Sequence, residues 1–241
     1  MLKLYNIYKQ LDAAYGPQGW WPLVGHAGTN PTKTGAVQGY HVGDYTFPKN
    51  KNQQFEICLG TILTQNTAWS AVEKSLLNLK KINALAPEAI LQLEEEALKV
   101  AIRPSGYHNQ KARYIRNFTL FFQGLGERVP AREELLALVG IGPETADSML
   151  LYAFGQPEFV VDTYTKRILM ALGLIAENAS YASVKQLCEE ALQKEIADPK
   201  ELMMAYQEFH ALLVEHAKRY YARKPYGQND KLLLKNKKTA L

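Results

Sequence analysis

Cysteine is scarce in this sequence, and long apolar runs are missing. Cys58 and Cys188 are the only cysteines among the 241 residues, which excludes a disulfide framework and a cysteine-rich metal site. No apolar run approaches the ~18 residues of a membrane-spanning helix, and the N-terminal segment lacks the cationic-then-apolar layout of a secretion signal. We therefore expect a cytoplasmic protein that does not bind a membrane.

Strand patterns are almost as scarce. In an inserted loop, residues 25–52, large apolar residues alternate around Gly43-Asp44 and allow a small β-hairpin. Elsewhere apolar residues recur at helical spacing, and about ten short helices are expected. The fold class is therefore all-α.

Acidic residues are nearly missing from the C-terminal tail. From Lys218 onwards eight basic residues face a single acid, Asp230, so the tail carries +7 and residues 1–217 carry −3. Such a tail indicates a polyanionic partner, or merely a solvated and partly disordered segment. Both interpretations stay open at this point.

Residues 138–167 contain the two features with the most chemical content. Gly140-Ile141-Gly142 precedes a helix start with Pro143 at its first position. The free amides of such a turn suit an anion such as a DNA phosphate. Further along, the apolar segment Phe159-Val160-Val161 ends at Asp162. A short amphipathic helix on each side of the glycine turn would make a helix–hairpin–helix.

Asp162 has two interpretations, and so does a pair of tryptophans near the N-terminus. Before Thr163 at a helix start, Asp162 would serve as an N-cap. Held against the preceding valines, it would instead stabilise a developing cation or activate water. Trp20-Trp21, in a loop, either fills the core or faces a ligand.

Several motifs together resemble the helix–hairpin–helix DNA glycosylases of the endonuclease III superfamily. They occur in the order LTQNT at 63–67, GY-x-x-x-KA at 106–112, LVGIGPETA at 138–146 and AFG-x-x-x-x-VVD at 153–162. Within that superfamily, Trp20-Trp21-Pro22 and RPSGY at 103–107 look like the 3-methyladenine DNA glycosylase III branch. The resemblance covers most of residues 17–220, apart from the insert.

The resemblance implies a two-lobed architecture with a lesion cleft between the lobes. Residues 1–52 plus 161–241 would form one helical domain, which carries the inserted loop and the basic tail 218–241. Residues 53–160 would form a six-helix barrel that contains the helix–hairpin–helix. A monomer is expected, with double-stranded DNA containing a damaged base as its partner.

The resemblance also implies roles for individual residues. Asp162 matches the essential catalytic aspartate. The base pocket would contain Trp20, Trp21, Pro22 and Trp69, with Trp20 and Trp69 on either side of the purine. Gln65 would fill the gap that a flipped nucleotide leaves. The residues expected to contact DNA are Gln65, Asn66, Gly140, Gly142, Thr145 and Lys166.

The chemistry of alkylated purines agrees with these roles. An enzyme that acts on a base must take the base out of the stack. N-alkylation makes the purine cationic, so it stacks well on indoles and leaves without a dedicated general acid. As the N-glycosidic bond breaks, Asp162 would stabilise the cationic sugar or orient water.

This sequence departs from the family pattern at three places. Glu144 stands where bifunctional members have a nucleophilic lysine, so lyase activity is not expected. Tyr220, Gly227 and Asp230 stand at what resemble the first three cluster-binding cysteine positions, so no iron–sulfur cluster is expected. A pocket lysine of the last long helix is replaced by Leu212. No metal site is expected, although relatives often hold a monovalent cation at the hairpin turn.

The sequence thus predicts a monofunctional base-excision-repair glycosylase for alkylated purines, 3-methyladenine first. One alternative is another damaged or mismatched base, but the adenine–mismatch branch expects a glutamate near Thr61. The other alternative is a non-catalytic DNA-damage binder in which Asp162 only caps a helix. His210 is interpreted as a packed helix residue.

Overall fold

Helices account for all the regular secondary structure of the described residues. The structure, a computed structural model, describes residues 4–33 and 38–234, so the tail lysines Lys235, Lys237 and Lys238 lie outside it. The α-helices are α1 Leu4–Tyr15, α2 Lys51–Leu63, α3 Trp69–Lys81, α4 Pro87–Gln92, α5 Glu95–Ile102, α6 His108–Leu125, α7 Arg132–Leu136, α8 Pro143–Ser148, α9 Thr163–Ala171, α10 Tyr181–Gln193 and α11 Pro199–Tyr220. The predicted all-α class is confirmed.

Local sequence sets several of the helix starts. Asn50, Asp162, Ser180 and Asp198 are N-caps whose side-chain oxygens accept a hydrogen bond from a backbone N–H of the first turn. Two short elements interrupt the α-helices, a 3₁₀ turn at Arg103–Ser105 and a π-helical turn at Met149–Ala153. Along 4–33 and 38–234 no helix is long and apolar enough to cross a membrane.

The β-hairpin expected around Gly43-Asp44 is wrong. The Asp44 amide donates to the carbonyl of His41 at 2.9 Å, and the Asp44 carboxylate accepts from the amide of Thr46 at 3.0 Å. These local hydrogen bonds make consecutive tight turns in place of two paired strands. Within the described part of the insert, the single antiparallel bridge joins Thr29 to Gln38.

The helices pack in two groups around a contiguous apolar core. Helices α1, α9, α10 and α11 contact one another, and α2 to α8 contact one another. Helix α2 is buried along residues 55–63, as its apolar sequence predicts. Helix α11 contacts the π-helical turn, which joins the two groups.

Asp230 fastens the loop that follows α11. Its buried carboxylate hydrogen bonds to Nε2 of His216 at 2.9 Å and accepts from the hydroxyl of Tyr221 at 2.7 Å. It also accepts from the backbone amides of the two residues at 232 and 233. Nδ1 of His216 in turn lies 2.8 Å from the hydroxyl of Tyr15 on α1. The loop, α11 and α1 are therefore joined through one carboxylate.

Replacement of this carboxylate tests its contribution. We expect Asp230→Ala to lower the free energy of unfolding by about 3 kcal/mol, because buried donors then lose their acceptor. Urea denaturation followed by circular dichroism measures the change. The exposed Glu177→Ala is the control, with a change of about 0.5 kcal/mol or less. Equal unfolding midpoints for the two variants would contradict the assignment.

Candidate active site

One large cleft brings residues from both helix groups together. Its volume is about 550 Å³, which is within the range of sites that enclose a small molecule. Its wall includes Trp20, Trp21, Pro22, Thr61, Gln65, Asn66, Trp69, Glu144, Thr145, Asp162, His210, Val214 and Lys218.

Most of the predicted site residues line this cleft. Those found there are Trp20, Trp21, Pro22, Gln65, Asn66, Trp69, Thr145 and Asp162. Gly140 and Gly142 lie beside it in the turn before α8, in contact with Gln65 through the Gly140 carbonyl. Lys166 is not in the cleft wall, since its Nζ on α9 donates to the carbonyl of Ala179 at 3.0 Å.

The Asp162 carboxylate caps a helix and also faces the cleft. Oδ1 accepts from the amide of Thr165 at 2.7 Å, which satisfies one free N–H of α9. Oδ2 has no hydrogen-bond partner in the part of the chain that the structure describes. The two interpretations of Asp162 are therefore compatible, because each uses a different oxygen.

The aromatic wall of the cleft is built around Trp21. Its ring is edge-on to Trp20, with centroids 6.0 Å apart, and edge-on to Trp69, with centroids 5.4 Å apart. Gly60 of α2 makes room for it, since a Cβ at that position would lie 2.7 Å from Nε1 of Trp21. Trp20 and Trp69 are half-buried, whereas Trp21 is 5% exposed. The first two rings thus keep surface that a base can contact.

A buried carboxylate holds the tryptophan loop in place. Glu208 of α11 accepts from the amide of Gln18 at 2.7 Å and from the amide of Gly19 at 3.4 Å. Burial raises the pKa of Glu208, and these backbone hydrogen bonds oppose that rise. Because the amides directly precede Trp20, Glu208 fixes where the loop enters the cleft.

A buried lysine holds the loop after α2 in the same way. Nζ of Lys111 donates to the carbonyls of Leu63 and Ser105 and to the hydroxyl of Thr67, at 2.7 to 2.9 Å. Burial lowers the pKa of Lys111 to about 8. The loop between Leu63 and Thr67 carries Gln65, so this cation positions the expected plug residue.

Gln65 is joined to the hairpin turn. Its Nε2 donates to the carbonyl of Gly140 at 2.8 Å and to the hydroxyl of Thr145 at 3.0 Å. Gly140 has a φ of +90°, and a Cβ there would lie 2.4 Å from the ring of Tyr114. Glycine is therefore required at this position on both conformational and steric grounds.

Glu144 is a second carboxylate in the cleft wall. Crowding by protein atoms, and then repulsion from the Asp162 carboxylate, raise the pKa of Glu144 to about 7. The side chain is nevertheless open to water along the cleft, and water screens part of the repulsion. A carboxyl group therefore stands where bifunctional relatives are expected to have an amine.

Sequence reasoning missed the cationic side chain of the cleft. Leu212, the position at which the family resemblance places a replaced pocket lysine, is fully buried and does not line the cleft. The face of α11 that does so carries His210, Val214 and Lys218, spaced by four residues. Lys218 pairs with Glu215 at 2.6 Å, and its Nζ lies 5.8 Å from the Trp20 ring centroid. That spacing of four is the signal in the sequence that could have identified Lys218 and His210.

The side chains at the expected cluster positions do not fit an iron–sulfur cluster. Tyr220, Gly227 and Asp230 offer no thiolate, and Asp230 is already occupied by the hydrogen bonds of the C-terminal loop. Cys58 and Cys188 are buried elsewhere, and burial raises the pKa of both thiols. Across residues 4–33 and 38–234 no group of three His, Cys, Asp or Glu side chains is placed to hold a metal ion.

Comparison with known proteins identifies the family. Residues 59–194 match the HhH-GPD superfamily of base excision DNA repair proteins. The chain is 37% identical over 237 residues to a protein of Methanocaldococcus jannaschii provisionally named DNA repair glycosylase MJ1434, covering 94% of this chain and 92% of that one. It is 29% identical to endonuclease III of Sulfolobus acidocaldarius, covering 74% and 78% of the two chains.

Solved structures give the same result. The 3-methyladenine DNA glycosylase MagIII of H. pylori, bound to 1,N6-ethenoadenine, is 28% identical with a TM-score of 0.68, covering 90% of this chain and 98% of that one. A trapped endonuclease III–DNA intermediate is 20% identical with a TM-score of 0.69, covering all of both chains, and shows the shared fold. The protein therefore belongs to the HhH-GPD superfamily and is a DNA glycosylase of base excision repair.

The clamp on the tryptophan loop can be tested directly. We expect Glu208→Ala to lower the free energy of unfolding by about 2 kcal/mol, because two buried amides lose their acceptor. Acrylamide should then quench tryptophan fluorescence more strongly, since all three tryptophans of the chain line the cleft. Glu201→Ala, an exposed position on the same helix, should leave both measurements unchanged. Unaltered quenching in the Glu208 variant would exclude the clamp.

Proposed function

We propose that this protein is a monofunctional DNA glycosylase, acting in the cytoplasm as a monomer. It hydrolyses the N-glycosidic bond of alkylated purines, 3-methyladenine first, that are flipped out of double-stranded DNA. The observation that carries this proposal is the Asp162 carboxylate, held by one oxygen and open by the other, in the wall of an aromatic cleft.

The fixed carboxylate suits the proposed chemistry. Cleavage of the bond to a cationic base leaves positive charge on the sugar, and an oriented carboxylate stabilises that charge. The amide of Thr165 holds Asp162 in one orientation, so little reorganisation is needed during the reaction. Oδ2 would face the sugar or the attacking water.

Charge and aromaticity in the cleft favour a cationic purine. Trp20 and Trp69 offer half-buried indole surface for stacking. Asp162 and Glu144 add acidic groups, and the charge of Lys218 is paired with Glu215. The wall is therefore acidic on balance, which attracts a positively charged alkylated base.

The residues that contact DNA are proposed to surround the same cleft. Gln65 and Asn66 would enter the duplex, while Gly140, Gly142 and Thr145 would bind a phosphate beside the lesion. Lys166 would contact the backbone from outside the cleft. A monovalent cation at the hairpin turn would share the Gly140 carbonyl with Gln65, which donates to it.

We also propose the two-lobed division, with residues 1–52 plus 161–241 in one lobe and 53–160 in the other. It is supported by the origin of the cleft residues. Trp20, Asp162 and His210 come from the first set, and Gln65 and Trp69 from the second. A reaction without an iron–sulfur cluster is likewise proposed, because the cluster positions supply no thiolate.

The catalytic role of Asp162 can be separated from its capping role. We expect Asp162→Asn to slow single-turnover release of 3-methyladenine from methylated duplex DNA by about 100-fold or more. Asp198→Asn is the matched control, because Asp198 caps α11 by accepting from the Glu201 amide at 2.8 Å, yet lies outside the cleft wall. Release at the wild-type rate by the Asp162 variant would refute the mechanism.

A panel of lesion duplexes separates the alternatives. Release of another damaged or mismatched base, with no release of 3-methyladenine, would assign a different substrate to the same enzyme class. The adenine–mismatch reaction is disfavoured, because Thr61 stands near the position where that branch has a glutamate, and its hydroxyl donates to the Cys58 carbonyl. Binding of damaged DNA with no base release would indicate a non-catalytic binder.

The absence of an amine at position 144 predicts the product. We expect the wild-type protein to leave an intact abasic strand and to form no borohydride-stable adduct with DNA. Glu144→Lys should gain such an adduct, because its amine would stand in the cleft with Asp162. Glu144→Gln controls for loss of the carboxylate. If the wild type forms the adduct and Lys218→Met removes it, Lys218 is a nucleophile and the protein is bifunctional.

A further inference from the structure

The π-helical turn places a tyrosine against the inner wall of the cleft. Tyr152 lies in this turn, and its ring packs against Trp21 and His210 with centroids 5.3 and 5.8 Å apart. π-Helical turns inside helices are frequent at functional sites. His210 is itself edge-on to Trp20, with centroids 5.7 Å apart. Tyr152 and His210 therefore support the surface on which a base would stack.

The hydrogen bonds of Tyr152 determine where His210 carries its proton. The hydroxyl lies 3.0 Å from the carbonyl of Gln207 and 2.7 Å from Nδ1 of His210. A carbonyl oxygen only accepts, so the single hydroxyl proton goes to Gln207 and Nδ1 must donate to the tyrosine oxygen. Burial raises the pKa of Tyr152 and lowers that of His210, so both groups are neutral near pH 7.

The other ring nitrogen of His210 is consequently an acceptor that faces the cleft. With the proton on Nδ1, Nε2 carries a lone pair. Within residues 4–33 and 38–234, Nε2 has no hydrogen-bond partner, and the atom retains some exposure to solvent. His210 lines the cleft and is only 4% exposed. The accessible edge of its ring is therefore in the cleft.

We propose that His210 is a specificity-determining residue that distinguishes an amino group from a keto group on the flipped purine. Nε2 would accept from the exocyclic amino group of an adenine-type lesion. A guanine-type lesion would present a keto oxygen there, and two acceptors would face each other with no proton between them. Tyr152 is the positioning residue that fixes the tautomer. This inference rests on the proposed function.

Methylated duplex DNA tests the proposal because it contains 3-methyladenine and 3-methylguanine together. Single-turnover release of both bases is measured by chromatography in one reaction. The wild type should favour 3-methyladenine, and His210→Leu should reduce that preference about tenfold by slowing 3-methyladenine release. Tyr152→Phe should reduce it similarly by speeding 3-methylguanine release, because His210 can then adopt the other tautomer and donate.

A purely structural role would give a different result, since both bases would then be released more slowly and their ratio would not change. Tyr206→Phe is the matched control, because Tyr206 is buried and its hydroxyl donates to the Glu189 carbonyl away from the cleft. Its ratio should equal that of the wild type. The 2-amino group of guanine also affects the release of 3-methylguanine, but it does so equally in every variant. The informative quantity is therefore the difference between variants in the ratio of the two released bases.

The outcomes separate this inference from the proposed function. Asp162-dependent release of 3-methyladenine with an unchanged ratio in both Tyr152→Phe and His210→Leu overturns the role of His210 and leaves the glycosylase intact. A wild-type protein that releases neither base overturns the proposed function, and the inference with it. Thermal unfolding of each variant confirms that the compared proteins are folded.

Discussion

The site depends on the different surroundings of the two oxygens of Asp162, because Oδ1 is hydrogen-bonded to the start of α9 and Oδ2 is not. If both oxygens accepted hydrogen bonds from the first turn of α9, neither would be available to a ligand in the cleft. If neither oxygen had a fixed partner, the carboxylate would rotate freely. The hydrogen bond from the Thr165 amide restricts rotation of the carboxylate, while Oδ2 accepts no hydrogen bond from the residues that the structure describes. Helix capping and the proposed electrostatic stabilisation are therefore compatible in one arrangement, and the buried Val160-Val161 segment leads directly to the carboxylate.

Buried charges then position the loops around this carboxylate. Glu208 holds the loop that carries Trp20 and Trp21, and Lys111 holds the loop that carries Gln65. A buried charge is costly unless its hydrogen bonds are complete, and both groups bond mainly to backbone. Backbone bonds fix the path of the chain itself, which neighbouring side chains alone would leave less defined. The cleft is thus formed by loops that behave as rigid elements.

The sequence was sufficient for the helices and for the local motifs, and insufficient for features that depend on tertiary register. Asp162 and the tryptophan pair are marked by their immediate neighbours, whereas Gln65 was assigned through the resemblance of its motif to the family. Lys218 was missed because it lies six residues after Leu212, on a different face of α11. The predicted hairpin at Gly43-Asp44 does not form. The local hydrogen bonds of Asp44, to the His41 carbonyl and from the Thr46 amide, stabilise turns more strongly than the weak alternation of apolar residues favours paired strands. A local sequence pattern predicts neither which face of α11 lines the cleft nor which hydrogen bonds form around Asp44.

Helix α11 connects all these features. Along its length Glu208 clamps the tryptophan loop, His210 and Lys218 face the cleft, and His216 joins Asp230 in the C-terminal loop. In endonuclease III relatives a cluster is expected to close that loop, and here a carboxylate with protein donors closes it. Because the same helix forms the cleft wall and anchors the loop, closure of the loop contributes to the geometry of the cleft. What this end of the protein must supply is a fixed α11, and the hydrogen bonds to Asp230 contribute to that.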